Sequence, residues 1–397
     1  MAGSIQKTTG PQGVAYLARV EYPRDAVTGK RRQRSASFKT KKAAEVRLAE
    51  WLVEIERGTA VDGSKMTTGE YLMHWLESYA QHNTRPSTFA SYESYARSHL
   101  IPAIGGVMLT RLTATHLQEL YSAKLRGGRM DGKTGGLSPR TVKYLHSIMR
   151  EALQHAYEQS LVYRNVADAV RPPKGARPQV QVWNATEART FLTASHNAPY
   201  APLWLVLLTT GMRRGEALGL RWQDVDMTKG LIRVHQTLVD VNGTVSIGEP
   251  KTKSGRRTIE LDSSCLAALK AHRERQAFLR RAWTDERRGH DLVFTTADGK
   301  WLHPRNVDRE YFALLARIEK QRQADRPDDA ALPRITLHGL RHTCATLLLL
   351  HNVNPKVVSE RLGHASISIT LDTYSHVLPS MQRDAADAIG AALFGVA

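Results

Sequence analysis

His338-Gly339-Leu340-Arg341, Leu362-Gly363-His364 and Leu371-Asp372-Thr373-Tyr374 follow one another in the last quarter of the chain. His338 and Arg341 stand three residues apart, which on a helix puts them on one face. Two upstream stretches carry matching chemistry: Thr210-Gly211-Met212-Arg213-Arg214-Gly215-Glu216 and Pro250-Lys251-Thr252-Lys253-Ser254-Gly255-Arg256-Arg257. Together they hold what a metal-free phosphoryl transfer from DNA to protein needs. A phosphodiester is anionic, and its pentacoordinate transition state gathers more charge on the equatorial oxygens. Guanidinium groups donate paired hydrogen bonds to such oxygens and stay ionised. Two of them can supply the stabilisation that Mg²⁺ gives in many phosphoryl-transfer enzymes. A tyrosine hydroxyl, with a reference pKa of about 10, attacks only once its proton is drawn off. His338 is a candidate for that base, and a lysine on a mobile hairpin could protonate the departing oxygen.

The order and context of Arg213, Lys253, His338, Arg341, His364 and Tyr374 resemble those of the tyrosine recombinases, the phage integrase family. The resemblance covers most of the chain. It implies that Tyr374 forms a 3′-phosphotyrosyl bond, Arg213 and Arg341 bind the phosphate and Lys253 protonates the 5′-oxygen. His338 is then the base, and His364 positions the phosphate or Tyr374. Glu216, three residues after Arg213, is placed to orient its guanidinium, or else forms an ordinary helix ion pair. Lys251 rivals Lys253, and spacing does not separate them. The resemblance further implies no cofactor, double-stranded attachment-site DNA as partner, and a homotetramer working through a Holliday junction. An excisionase or a host DNA-bending protein is an expected accessory. Two other readings stand beside an element integrase: a catalytically idle DNA-binding regulator and a Xer-like dimer-resolving recombinase.

Composition fits a polyanionic partner. The 397 residues carry a formal charge of +18 and a pI of about 10.0. Two cysteines, Cys265 and Cys344, show no paired spacing, which argues against a disulfide framework and suits a reducing cytoplasm. No apolar run reaches the roughly 18 residues of a membrane helix, and Met1–Gly10 shows no secretory signal.

The expected architecture is multidomain and mostly α with small β-sheets. It comprises an α+β arm-binding domain (1–60), a helical core-binding domain (66–171), a linker (172–179) and a mixed α/β catalytic domain with a tail helix (180–397). Val14–Tyr22 and Lys30–Phe38 alternate with period two and read as strands, followed by a helix carrying Ala44, Leu48, Trp51, Leu52 and Ile55. Arg19, Arg24, Lys30, Arg31, Arg32 and Arg34 make this hairpin basic. It resembles an arm-type domain, which lays a three-stranded sheet into the major groove; the alternative is a solvated edge. Helical stripes then run through Tyr71–Tyr79, Phe89–Leu100, Leu117–Leu125 and Val142–Ala156, with Pro102 expected to end the second. Lys124, Arg140 and Lys143 are candidate phosphate contacts there.

Gly127-Gly128-Arg129-Met130-Asp131-Gly132-Lys133-Thr134 spells a P-loop pattern. That motif works only between a strand and a helix; here helical patterns flank it, so a helix–helix loop is expected. In the last domain Leu231–Val234 and Thr244–Ile247 read as strands around an Asn242-Gly243 turn, completed by Thr258–Leu261, with Lys253 at the tip before the third. Arg256 and Arg257 beside it are candidate DNA contacts. His338 and His342 have a zinc-compatible spacing, but no third ligand stands nearby and Arg341 would repel a cation. Pro379 is expected to open the tail helix, with Met381, Ala385, Ile389, Leu393 and Phe394 apolar. The resemblance implies docking on a neighbouring protomer; the alternative is packing on its own domain.

Overall fold

A computed structural model describes residues 3–10, 13–22, 32–56, 66–129, 132–175, 180–250, 252–285, 290–374 and 381–395. Arg24, Lys30, Arg31, Lys251 and Pro379 lie outside the described residues. The chain divides into two compact units, Met1–Arg177 and Pro178–Ala397.

The first unit opens with three antiparallel strands: β1 (Gly3–Gly10), β2 (Gly13–Tyr22) and β3 (Arg32–Phe38), in that order across the sheet. Residue alternation revealed two of them; β1, GSIQKTTG, has too few apolar residues to show the pattern. Ala18 faces Ile5 on one side and Ala36 on the other. This inner face buries Ala18 and Val20 against Ala44 and Trp51 of the Lys41–Glu56 helix. The Arg34 guanidinium carbon lies 5.1 Å from the centroid of the Trp51 ring. Arg34 is therefore on the helix side of the sheet. Arg19, opposite Ser4 and Ser35, is exposed on the other face.

The remaining helices of this unit share one core that includes Tyr71, Trp75, Leu117, Tyr121, Leu145 and Leu153. Thr67 caps Thr68–Trp75 in a capping box with Glu70. Ser138 caps Pro139–Glu158, with proline in the first turn as its missing N–H allows. Pro102 does not end its helix. Pro86–Tyr95 runs into a wide turn over Ala96–Leu100, and Ile101–Ile104 continues beyond. The wide turn resets the hydrogen-bond register just before the proline, so its lacking N–H breaks no bond. The Gly127–Thr134 stretch joins the Ala114–Arg126 and Pro139–Glu158 helices, and no strand precedes it. Arg140 and Lys143 are exposed and Lys124 is half-buried.

The described residues of the second unit form helices and two small sheets. Its core includes Trp183, Phe191, Trp204, Leu207, Ile232, Ile259, Tyr311 and Leu340. β4 (Val225–Asp226), β5 (Leu231–Val234) and β8 (Arg257–Glu260) form one antiparallel sheet. β6 (Thr237–Val241) and β7 (Thr244–Gly248) form a separate hairpin. The Asn242-Gly243 turn, with φ of 52° and 86°, thus joins β6 to β7 rather than β5 to β7. Lys253 is not at a hairpin tip either: it opens a short 3₁₀ turn, Lys253–Gly255, between β7 and β8. The Met381–Phe394 helix ends the described chain with Ile389, Leu393 and Phe394 exposed. No helix among the described residues is long and apolar enough to cross a membrane.

Candidate active site

Four stretches of the second unit deliver polar groups to one place. The first is the corner after the apolar Ala201–Thr210 helix. Gly211 takes the left-handed conformation, φ 65°, that ends it. Its added Cβ would lie 2.5 Å from Leu362 Cδ2, so glycine is needed on both counts. Arg213 then caps the short Arg214–Leu218 helix, and the Glu216 carboxylate accepts from the Arg213 backbone N–H at 2.9 Å. The same carboxylate accepts from Arg213 Nη1 at 2.7 Å, while Arg213 Nη2 donates to the Gly363 carbonyl at 3.2 Å. The helix ion pair is thus part of a built corner: Glu216 is 3% exposed and Arg213 37%.

The second stretch is β8 with the turn before it. Arg257, expected to meet DNA, has a side chain only 6% exposed and donates to Glu216 Oε2 at 2.9 Å. Arg256 is exposed and pairs with Glu249. Burial pushes the Glu216 carboxyl up, but Arg257 and Arg213 outweigh it and hold it below the ordinary carboxylate range.

The third is the Leu337–Leu350 helix, capped by Thr336. Its first turns carry His338, Arg341 and His342. Arg341 is 2% exposed and donates through Nη1 to the Gly211 carbonyl at 2.8 Å. Its Nη2 is buried with no hydrogen-bond partner among the described residues. Burial and the neighbouring Arg213 lower its pKa to about 10. A buried donor without a partner, beside a second guanidinium, is stabilised by an anion.

The fourth is the Leu362–Tyr374 segment. Gly363, φ 70°, ends the Pro355–Leu362 helix and turns the chain toward Arg213. His364 Nδ1 lies 2.8 Å from the Thr370 hydroxyl. Burial, then Arg341, Arg213 and Arg257, depress His364 to about 4. Tyr374 ends the Ile367–Tyr374 helix and is 1% exposed. Its hydroxyl lies 2.6 Å from His342 Nδ1. Burial raises Tyr374 well above its usual value, with Arg341 opposing.

The structure thus brings Arg213, Glu216, Arg341, His364 and Tyr374 together with His338. The Tyr374 hydroxyl pairs with His342, which the sequence reading weighed only as a metal ligand. Burial, His338 and Arg341 depress His342 to about 4, so it is a neutral acceptor at neutral pH. The His338 and His342 rings meet edge to face at 4.7 Å. Crowding by the surrounding protein, Arg341 and Arg213 also push His338 down. Among the described residues no cluster of three or more His, Cys, Asp or Glu could hold a metal ion. The i, i+4 spacing of His338 and His342 was the one sequence signal for His342; its partner 32 residues on was not visible.

Residues 181–381 match the phage integrase family, residues 67–125 the N-terminal SAM-like domain of phage integrases and residues 4–55 an arm DNA-binding domain. A XerC-like tyrosine recombinase of Caldanaerobacter subterraneus subsp. tengcongensis is 28% identical over 93% of this chain and 96% of its own. The ICEBs1 integrase of Bacillus subtilis (strain 168) is 24% identical over 97% and 98%. Among solved structures, the Tn1549 transposon integrase in complex with a circular intermediate DNA superposes with a TM-score of 0.65 at 20% identity, over 82% of this chain and 99% of that one. A lambda integrase tetramer bound to a Holliday junction gives a TM-score of 0.53 at 16% identity, over 91% and 95%.

Proposed function

The chain belongs to the phage integrase family and is a tyrosine site-specific DNA recombinase, and from that premise we propose that Tyr374 is its nucleophile and that Arg213, Lys253, His338, Arg341, His342 and His364 complete the site. The observation that carries this is the Nη2 of Arg341, buried beside Arg213 with no partner among the described residues. A scissile phosphate seated there would give that donor its acceptor. Arg213 and Arg341 bind the non-bridging oxygens, and His364 braces the same group through its Thr370 contact.

As Tyr374 Oη bonds to phosphorus, its proton passes to His342 Nδ1, the group it already touches. The bond from phosphorus to the 5′-oxygen breaks, and Lys253 protonates that oxygen. A 3′-phosphotyrosyl link results, whose attack by another 5′-hydroxyl rejoins DNA. His338, which feels both arginines, belongs with the phosphate-binding group rather than with Tyr374. At 1% exposure Tyr374 is covered, so DNA binding must open access for the phosphate beside the Tyr374–His342 pair.

The natural substrate is double-stranded attachment-site DNA, and the reaction integrates and excises a mobile element. The arm-domain match favours this over dimer resolution. The working form is a homotetramer exchanging strands through a Holliday junction, with the exposed Ile389, Leu393 and Phe394 of the tail helix available to a neighbouring protomer. Residues 1–60 bind arm sites, 66–171 the core site and 180–397 carry the chemistry. Tyr374→Phe tests the reading: it should bind attachment DNA with unchanged affinity and form no covalent protein–DNA product. An undiminished product on a denaturing gel would place the nucleophile elsewhere.

A further inference from the structure

Arg257 reads in the sequence as one more charge in a basic loop, yet each nitrogen of its guanidinium is held by protein. Nη2 donates to Glu216 Oε2 at 2.9 Å, Nη1 to the Gly255 carbonyl at 3.1 Å and Nε to the Arg361 carbonyl at 2.6 Å. These acceptors belong to three different parts of the site. Glu216 holds Arg213. Gly255 closes the 3₁₀ turn that Lys253 opens. Arg361 precedes Leu362-Gly363-His364, and Arg213 Nη2 reaches back to the Gly363 carbonyl. The bonds therefore close a ring, from Arg213 through Glu216 and Arg257 to the Arg361–Gly363 backbone and back. Packing at the centre is tight: a Cβ on Gly363 would lie 2.7 Å from the Ser254 carbonyl oxygen and 3.0 Å from Arg257 Nη1.

Resting on the reading of the site above, we infer that Arg257 is a positioning residue for strand cleavage, setting the Lys253 turn, Arg213 and the His364 corner against one another without touching DNA. The chemistry requires arginine. Three acceptors lie around one plane in three directions, which a planar fork with five donors serves and an ammonium group does not. A proton donor must come within hydrogen-bond reach of the leaving oxygen, and a misplacement of about 1 Å can cost about 100-fold in rate. Arg257 sets one end of the turn that carries the donor. Its nitrogens are engaged by protein and its side chain is 6% exposed, so its loss should lower the rate of cleavage and leave affinity for DNA intact.

The test uses full-length Arg257→Lys protein on a nicked attachment-site duplex, made with the ordinary 5′-bridging oxygen and with sulfur in its place. A thermal melt first establishes that the variant is folded; should it unfold, Arg257→Gln takes its place in the same assay. DNA affinity and its salt dependence should match the parent within about twofold, while single-turnover formation of the covalent product slows about 100-fold on oxygen. On sulfur, which leaves without a proton, about tenfold of that loss should return, and the remainder reflects Arg213. A cleavage rate within twofold of the parent on oxygen would reduce Arg257 to a structural part and overturn the inference. So would weaker binding with a salt slope smaller by about one, the signature of a lost phosphate contact. An equal loss on both substrates would show that Arg257 does not act through the lysine turn. Lys253→Ala, run in parallel, separates the two proposals: its failure to recover on sulfur faults Lys253 as the acid, whereas affinity and rate in the Arg257 variant report on Arg257.

Discussion

His342 Nδ1 and the Tyr374 hydroxyl lie 2.6 Å apart, joining the second turn of the Leu337–Leu350 helix to the last residue of the Ile367–Tyr374 helix. A buried hydroxyl whose pKa burial has raised needs a neutral acceptor, and burial, with His338 and Arg341 beside it, keeps His342 neutral. His342→Ala should therefore slow covalent-product formation by about 100-fold or more while DNA affinity stays level. The measurement is single-turnover cleavage beside a binding titration. A rate within threefold of the parent would return the base to His338.

The same burial gives the fold a pH dependence of definite sign. His342 and His364 are each depressed to about 4, by burial first and then by cationic neighbours. In the unfolded chain such groups titrate near about 6.5. Between those values the unfolded chain binds protons that the native site refuses. Stability is thus full above about pH 6.5 and falls as pH drops toward 4. Melting temperatures of the full chain should decline over that window, and His364→Gln should flatten part of the decline. A melting temperature that rises on acidification would contradict the assignment.

Glu216 is 3% exposed between two guanidiniums, so its charge holds them together. Glu216→Gln leaves Arg213 and Arg257 facing each other across a neutral amide. Removing one partner of a buried pair typically costs about 3–5 kcal/mol. Chemical denaturation should show a loss of that order together with near-complete loss of cleavage. A variant as stable as the parent would mean the pair is solvated in solution.

Much of this site was legible in the sequence because its chemistry is written in short local motifs. Arg213, His338, Arg341, His364 and Tyr374 keep their neighbours in any fold that preserves the helices around them. What stayed hidden depends on distant partners. Arg257 looks like a solvated charge until residues 216, 255 and 361 surround it. His342 and Tyr374, 32 residues apart, meet only in the folded chain. The strand pairing misled for a related reason. Asn242-Gly243 identifies a tight turn but not which upstream strand it serves, and Thr237–Val241 lies nearer to it than Leu231–Val234. Pro102 appeared to stop a helix because proline rules assume regular 3.6-residue turns, and the wide turn over Ala96–Leu100 suspends that assumption.

Gly363→Ala combines a left-handed backbone, φ 70°, with a Cβ that would press on the Ser254 carbonyl and Arg257. The change should cost about 1–3 kcal/mol in stability and displace the Arg257 ring. Cleavage should fall even below the temperature at which the variant melts. Full activity and an unchanged melting curve would show that the corner relaxes freely.

In the proposed mechanism Tyr374 joins DNA covalently in a site whose charge comes from Arg213 and Arg341. The most direct measurement is peptide mapping of the protein–DNA product trapped on a nicked attachment site in excess EDTA. Product should be undiminished in the chelator, with the DNA remnant on the peptide that carries Tyr374. Product that disappears in EDTA and returns with Mg²⁺ or Zn²⁺, or a remnant on any other residue, would contradict it.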